Sequence, residues 1–183
     1  MNKEDEISLL IEGCKRGHVK SQQLLYQKFA PKLMAICLRF TRNETDAEDL
    51  LQEAFIRIFL SLKDFRGEGS FEGWLKRITV NCAINQYNEK ERIKQTMVVE
   101  QLDENIEVAV EADALIPYET LLTMIQCLPA GYRTVFNLSA IDEYSHEEIA
   151  EKTGLNYSNI ASQLFRAKKS LQKAVQEYLS HEL

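Results

Sequence analysis

Apolar residues near the C-terminus recur at helical spacing. Ile160, Leu164, Ala167, Leu171 and Val175 are separated by four, three, four and four positions, which places them on one face at about 3.6 residues per turn. Ser158, Ser162, Arg166, Lys169 and Lys173 fall on the opposite face. Asn156 offers an N-cap side chain, and Leu155 is placed to pack against Ile160 as a hydrophobic staple. Just upstream, Ser145 stands three residues before Glu148, the arrangement in which a hydroxyl and a carboxylate cap each other's backbone N–H groups. This predicts a helix from Ser145 that ends at Glu151 or Lys152, because Thr153-Gly154 supplies a residue that reaches the left-handed region at no steric cost. A short helix, a glycine turn and a longer helix with an uncharged polar start and a basic end form the layout of a helix-turn-helix. Its hydroxyls and amides can meet base edges, and its cations can meet phosphates. An ordinary helical hairpin with a solvated polar face is the commoner source of such a pattern, but the agreement of cap, glycine turn and polarity favours DNA.

Toward the N-terminus the pattern predicts helices from Glu6 to about Arg16 and from Ser21 to about Phe40, with Pro31 near a helix start or kink. Leu24, Leu25, Phe29, Leu33, Ile36, Cys37 and Phe40 are the expected core side of the second. Thr45 to Leu62 is the best-marked helix, with Thr45 and Glu48 spaced as a capping box. Ala47, Leu50, Leu51, Ala54 and Ile58 make one stripe, while Asp49, Glu53, Ile56 and Leu60 make a second on roughly the opposite side. A helix with two stripes is either sandwiched between elements or offers a surface to a partner. Lys63 to Ser70 reads as a loop whose serine caps the next helix, which begins at Phe71. There Phe71, Leu75, Ile78 and Cys82 are expected to turn inward. Trp74, Arg77, Asn81 and Asn88 share a neighbouring face and are of the types that stack on and hydrogen-bond unpaired bases. Taken alone, that face reads more simply as solvent surface with one partly buried Trp.

Thr96 to Glu119 holds seven acidic residues, no basic one and no single apolar period, so it is the candidate linker. Tyr118 to Cys127 is helical again, Pro129-Ala-Gly131 interrupts, and Tyr132 to Ile141 forms the helix ahead of the helix-turn-helix. No stretch alternates like a strand. The expected fold is all-α: two small helical domains, 1–95 and 118–183, joined by an acidic linker, 96–117, with the helix-turn-helix in the C-terminal one.

A formal net charge of −6 argues against indiscriminate coating of nucleic acid, which depends on phosphate neutralisation by Lys and Arg. Any DNA binding then needs help from a partner. Cys14, Cys37, Cys82 and Cys127 show no Cys-x-x-Cys pair and no zinc spacing, and Cys14 with His18 on one helix face is a two-ligand coincidence. No metal or cofactor is expected. The N-terminal apolar run breaks too soon for a signal peptide or membrane span, so a reduced, cytoplasmic protein without membrane insertion is expected.

Three segments together resemble the extracytoplasmic-function (ECF) sigma factors, the specificity subunits of bacterial RNA polymerase. DAEDLLQEAFIRIF is similar to that family's polymerase-binding helix and FRGEGSFEGWLKRITVNCAIN to its promoter-melting segment. LPAGYRTVFNL, YSHEEIAEKTG and SQLFRAKKSL are similar to its second domain. The resemblance implies that Asp49, Gln52, Glu53, Ile56 and Leu60 meet the clamp coiled coil of core polymerase. It implies that Phe65, Arg66, Trp74, Arg77 and Asn81 contact the minus-ten element, with Phe65 and the following loop forming a pocket for a flipped base. It also implies that Asn156, Tyr157, Ser158, Asn159, Ser162, Gln163, Arg166 and Lys169 read the minus-thirty-five element. Ala161 and Gln163 stand where the family often has basic residues, which points to a different promoter sequence. Core polymerase and promoter DNA are the implied partners, and an anti-sigma factor is expected from the resemblance only. A free-standing helix-turn-helix regulator would leave the Trp74 helix and the second stripe without a role. An enzyme is disfavoured, since no nucleophile–base pair, metal set, small-molecule site or phosphate-cradling loop is legible and RGEGS lacks the spacing and Lys of a P-loop.

Overall fold

A computed structural model describes residues 3–94 and 116–181. All but the last two positions of the expected acidic linker lie outside the described residues. Eight α-helices occur among the described residues: α1 (Lys3–Lys15), α2 (Val19–Phe40), α3 (Glu44–Ser61), α4 (Phe71–Lys94), α5 (Tyr118–Cys127), α6 (Ala130–Phe136), α7 (His146–Thr153) and α8 (Tyr157–His181). A 3-10 turn at Leu62–Asp64 follows α3, and a π-helical turn at Asn137–Ile141 extends α6. The all-α expectation holds.

The chain forms two compact units, each described by itself. The first comprises the stretch up to Leu38 together with Asn43–Ala83. Its core is built from Leu25, Phe29, Leu33, Ile36 and Cys37 of α2, six residues of α3 (Ala47, Leu50, Leu51, Ala54, Phe55 and Ile58), and Phe71, Leu75, Val80 and Cys82 of α4. Each large apolar side chain so buried contributes about 1.5–3 kcal/mol. Burial, and then the nearby charge of Glu53, pushes the Cys82 thiol up to about 11, so it packs as a neutral hydrophobe. Gly13 of α1 faces Ser21 of α2 so closely that a Cβ there would overlap Ser21 Oγ, and this lets the two helices approach. Gly17 then reverses the chain at φ +76°.

Several local expectations change. The cap of α3 is Asn43, whose Oδ1 accepts from Asp46 N at 2.8 Å, and not Thr45 with Glu48. Asn43 is in extended backbone, the conformation an N-cap requires, so the helix begins one residue earlier. α2 starts at Val19 and runs through Pro31, where burial of the flanking Phe29 and Leu33 offsets the lost N–H. Leu24 is 43% exposed, because Leu25 beside it takes the core position. Ile78 is only half-buried, while Thr79 turns inward and donates to Leu75 O.

The second unit joins Arg39–Arg42 to the chain from Ile84 onward. Leu128, Val135, Leu138, Ile149, Ile160 and Ala167 form its apolar centre. Arg133, 5% exposed, donates through Nε to Phe40 O and through Nη1 to Gln126 O and Leu128 O. Fully buried Asn137 donates to Arg39 O and Arg133 O and accepts from Arg39 Nη1, and Arg39 Nη2 pairs with Asp142 at 2.6 Å. Buried polar groups persist where they are paired in this way. The expected single helix from Tyr132 to Ile141 instead starts at Ala130 and widens into the π turn, where Asp142 N reaches Asn137 O.

Candidate polymerase and nucleic-acid interfaces

On α3 the two stripes separate cleanly. Ala47, Leu50, Leu51, Ala54 and Ile58 are buried, whereas Ile56 and Leu60 are 61% and 75% exposed. Asp49 and Gln52 are exposed beside them, and Glu53 is half-buried, accepting from Arg57 Nε and Nη2 at 3.1 and 3.0 Å. Side chains of that kind, apolar with an acidic rim, have no need to face water and suit a protein surface.

Beyond α3, Phe65 ends the 3-10 turn, and its ring lies 5.0 Å from Phe71 and 5.3 Å from Trp74, with Phe71 and Trp74 stacked at 5.7 Å. Phe65, Trp74 and Asn81 are half-buried, and Arg66 and Arg77 are exposed. Ser70 caps α4 as expected, accepting from Gly73 N. The loop between Phe65 and Ser70 turns at Gly67 and Gly69, both at positive φ. An aromatic wall, a turn of bare backbone and two cations are thus adjacent in the chain, the elements that a nucleobase and its phosphates require.

In the second unit the helix-turn-helix has the predicted local form. Ser145 and Glu148 make the reciprocal capping box, Gly154 is left-handed at φ +73°, and Asn156 Oδ1 accepts from Asn159 N at 2.8 Å. Ile160 and Ala167 are buried, and Leu164, Leu171 and Val175 are half-buried. Asn156 at the cap, and Tyr157, Ser158, Asn159, Ser162 and Arg166 on α8, are exposed, with Arg166 Nη1 at 3.4 Å from the Tyr132 hydroxyl. Lys169 is half-buried and lies over the ring of Phe165. Gln163 departs from the expected outward orientation. Its Oε1 is buried, 2.7 Å from where a Cβ on Gly131 would stand, so its carboxamide occupies the gap that this glycine leaves in α6. Gly131 itself sits inside α6 and does not break it. Phe165, 63% exposed, lies outside both stripes of α8, so periodicity does not mark it.

Among the described residues no helix is long and apolar enough to cross a membrane, and no His, Cys, Asp or Glu group could hold a metal ion.

Residues 25–93 match the family model for Sigma-70 region 2, and residues 118–171 match that for Sigma-70, region 4. The RNA polymerase sigma-H factor of Pseudomonas aeruginosa (strain PAO1) is 30% identical over 189 residues, covering 96% of this chain and 97% of that protein. The ECF RNA polymerase sigma-E factor of Escherichia coli (strain K12) is 29% identical over 179 residues, covering 92% of this chain and 93% of that protein. A similar fold occurs in the sigma factor RpoE of Bartonella quintana, solved with the anti-sigma factor NepR. That likeness has a TM-score of 0.51 at 21% identity and covers 86% of this chain and 98% of that chain. A region 2 followed by a region 4 defines a sigma-70-type initiation factor. The chain belongs to the ECF sigma factors: it directs core RNA polymerase to specific promoters, aids their opening, and is not an enzyme.

Proposed function

We propose that residues 1–95 bind core polymerase and recognise and melt the minus-ten element, that 118–183 read the minus-thirty-five element, and that 96–117 link the two. Core polymerase docks on Asp49, Gln52, Glu53, Ile56 and Leu60. The observation that carries this reading is the pair of exposed apolar residues on α3, Ile56 and Leu60, directly behind a fully buried stripe. Phe65, Arg66, Trp74, Arg77 and Asn81 receive the opened minus-ten strand. On α8 the contacts come from Asn156, Tyr157, Ser158, Asn159, Ser162, Arg166 and Lys169, and Gln163 supports them from beneath. The protein works in the cytoplasm, and an anti-sigma factor of the kind that accompanies the Bartonella protein is a fitting inhibitor.

The test is substitution of Ile56 or Leu60 by Glu. An unpaired charge in a desolvated interface costs about 1–3 kcal/mol or more, whereas a solvated charge costs almost nothing. Capture of core polymerase should weaken while circular dichroism stays unchanged. Unchanged capture would remove α3 from the interface.

A further inference from the structure

We infer that Lys15, on α1 ahead of the region 2 match, is a positioning residue for the minus-ten loop: its ammonium holds the Phe65 carbonyl and so fixes where that loop begins. The inference rests on the proposed reading of Phe65 and the loop after it as the site of the extruded base. Phe65 leaves the 3-10 turn at φ −70° and ψ 110°, so its carbonyl points out of the helical ladder and needs a donor from elsewhere. Lys15 Nζ supplies one at 3.1 Å, across fifty residues of sequence. The loop beyond has little restraint of its own, because Gly67 and Gly69 take left-handed backbone and have no side chain to pack. Its far end is held by the Ser70 cap, and its near end by Lys15 and by the Phe65 ring against Phe71 and Trp74.

α1 is well placed to act as an anchor. Gly13 seats it closely on Ser21, and Gly17 ends it. Lys15 lies in its last turn, where the partial negative charge of the final carbonyls favours an ammonium, and Glu12 pairs with Lys15 at 3.7 Å. With 26% of its side chain exposed, Lys15 is sheltered enough for the bond to persist against water. Loss of the bond frees the peptide between Phe65 and Arg66, so the strand is still attracted but the base is no longer met by one loop geometry.

The rival role for such a lysine is direct phosphate neutralisation, which weakens all sequences alike and lowers the salt slope. The experiment therefore measures sequence preference. Wild-type holoenzyme selects a promoter from a randomised pool, and its non-template strand is made as a single-stranded oligonucleotide with minus-ten positions substituted one at a time. Holoenzymes carrying Lys15→Met, Lys15→Arg and Asn81→Ala are titrated with this set, and core binding and thermal melting are recorded in parallel. Lys15→Met should bind the selected strand about tenfold more weakly, as for loss of a charge-assisted hydrogen bond, with a flattened preference and unchanged core binding. Lys15→Arg, which keeps a cationic donor, should retain the preference. If Lys15→Met ranks the strands as wild type does while Asn81→Ala is impaired, Lys15 has no positioning role and the pocket reading stands. If both behave as wild type, the pocket reading falls and takes this inference with it. Uniform weakening with a reduced salt slope, or failure of the Arg variant, likewise overturns it. Should the Met variant melt early, Lys15→Ala, which also lacks a donor, replaces it under the same criteria.

Discussion

α3 and α8 are built alike, each with one stripe against a core and one toward solvent, yet the solvent stripes carry opposite chemistry. On α3 the outward residues are Asp49, Gln52, Ile56 and Leu60, apolar with acid at the rim. On α8 they are Ser158, Ser162, Arg166 and Lys173, hydroxyl and cation with no acid among them. A phosphate backbone is repelled by the first and attracted by the second, while a protein groove gains from the first. A net charge of −6 is therefore compatible with DNA binding, because sign is arranged locally.

The largest effect should come from truncating one residue in each stripe of α3. Ile58→Ala empties a fully buried site and should cost about 2–5 kcal/mol in urea unfolding, whereas Ile56→Ala should stay within about 0.5 kcal/mol. If the two variants unfold at the same urea concentration, the division of α3 into core and partner faces is wrong. Next, Asn81→Ala should lower open-complex formation by about 1–3 kcal/mol, the scale of one hydrogen bond to an extruded base. At holoenzyme concentrations saturating for promoter binding, the closed complex should persist, permanganate reactivity of thymines should drop, and a pre-mismatched template should restore activity. Equal failure on duplex and mismatched templates would move Asn81 to folding or polymerase binding.

α8 can be divided in the same way. Arg166→Ala, on the exposed side, should change the ranking of a promoter library by about 1–3 kcal/mol at one base pair. Gln163→Ala, with its amide packed on Gly131, should leave that ranking intact and act on stability; a changed ranking would show that the amide swings out to read a base. Smallest of all, Lys169→Ala should weaken every promoter alike and reduce the salt slope by about one, measured as binding against salt concentration.

What the sequence determined by itself lies within a few residues along the chain. The Ser145–Glu148 box, the left-handed Gly154, the Asn156 cap and the inward stripes of α3 and α8 depend on spacings of three or four positions, and those distances are set by helix geometry. Even there the outcome turned on neighbours: Asn43 displaced Thr45 as the cap, and Leu25 displaced Leu24 from the core. The tertiary structure alone decided the rest. Arg133 resembles a solvent cation in sequence but is buried, because three carbonyls converge on it from elsewhere in the second unit. Gln163 is assigned to DNA by the family resemblance, yet its amide fills the space that a missing Cβ leaves in another helix. The bond from Lys15 to Phe65 O joins residues fifty apart, and no periodicity carries such information. Hydrogen bonds and steric gaps of this kind exist only once distant elements have packed, since each requires a partner atom that local geometry cannot position.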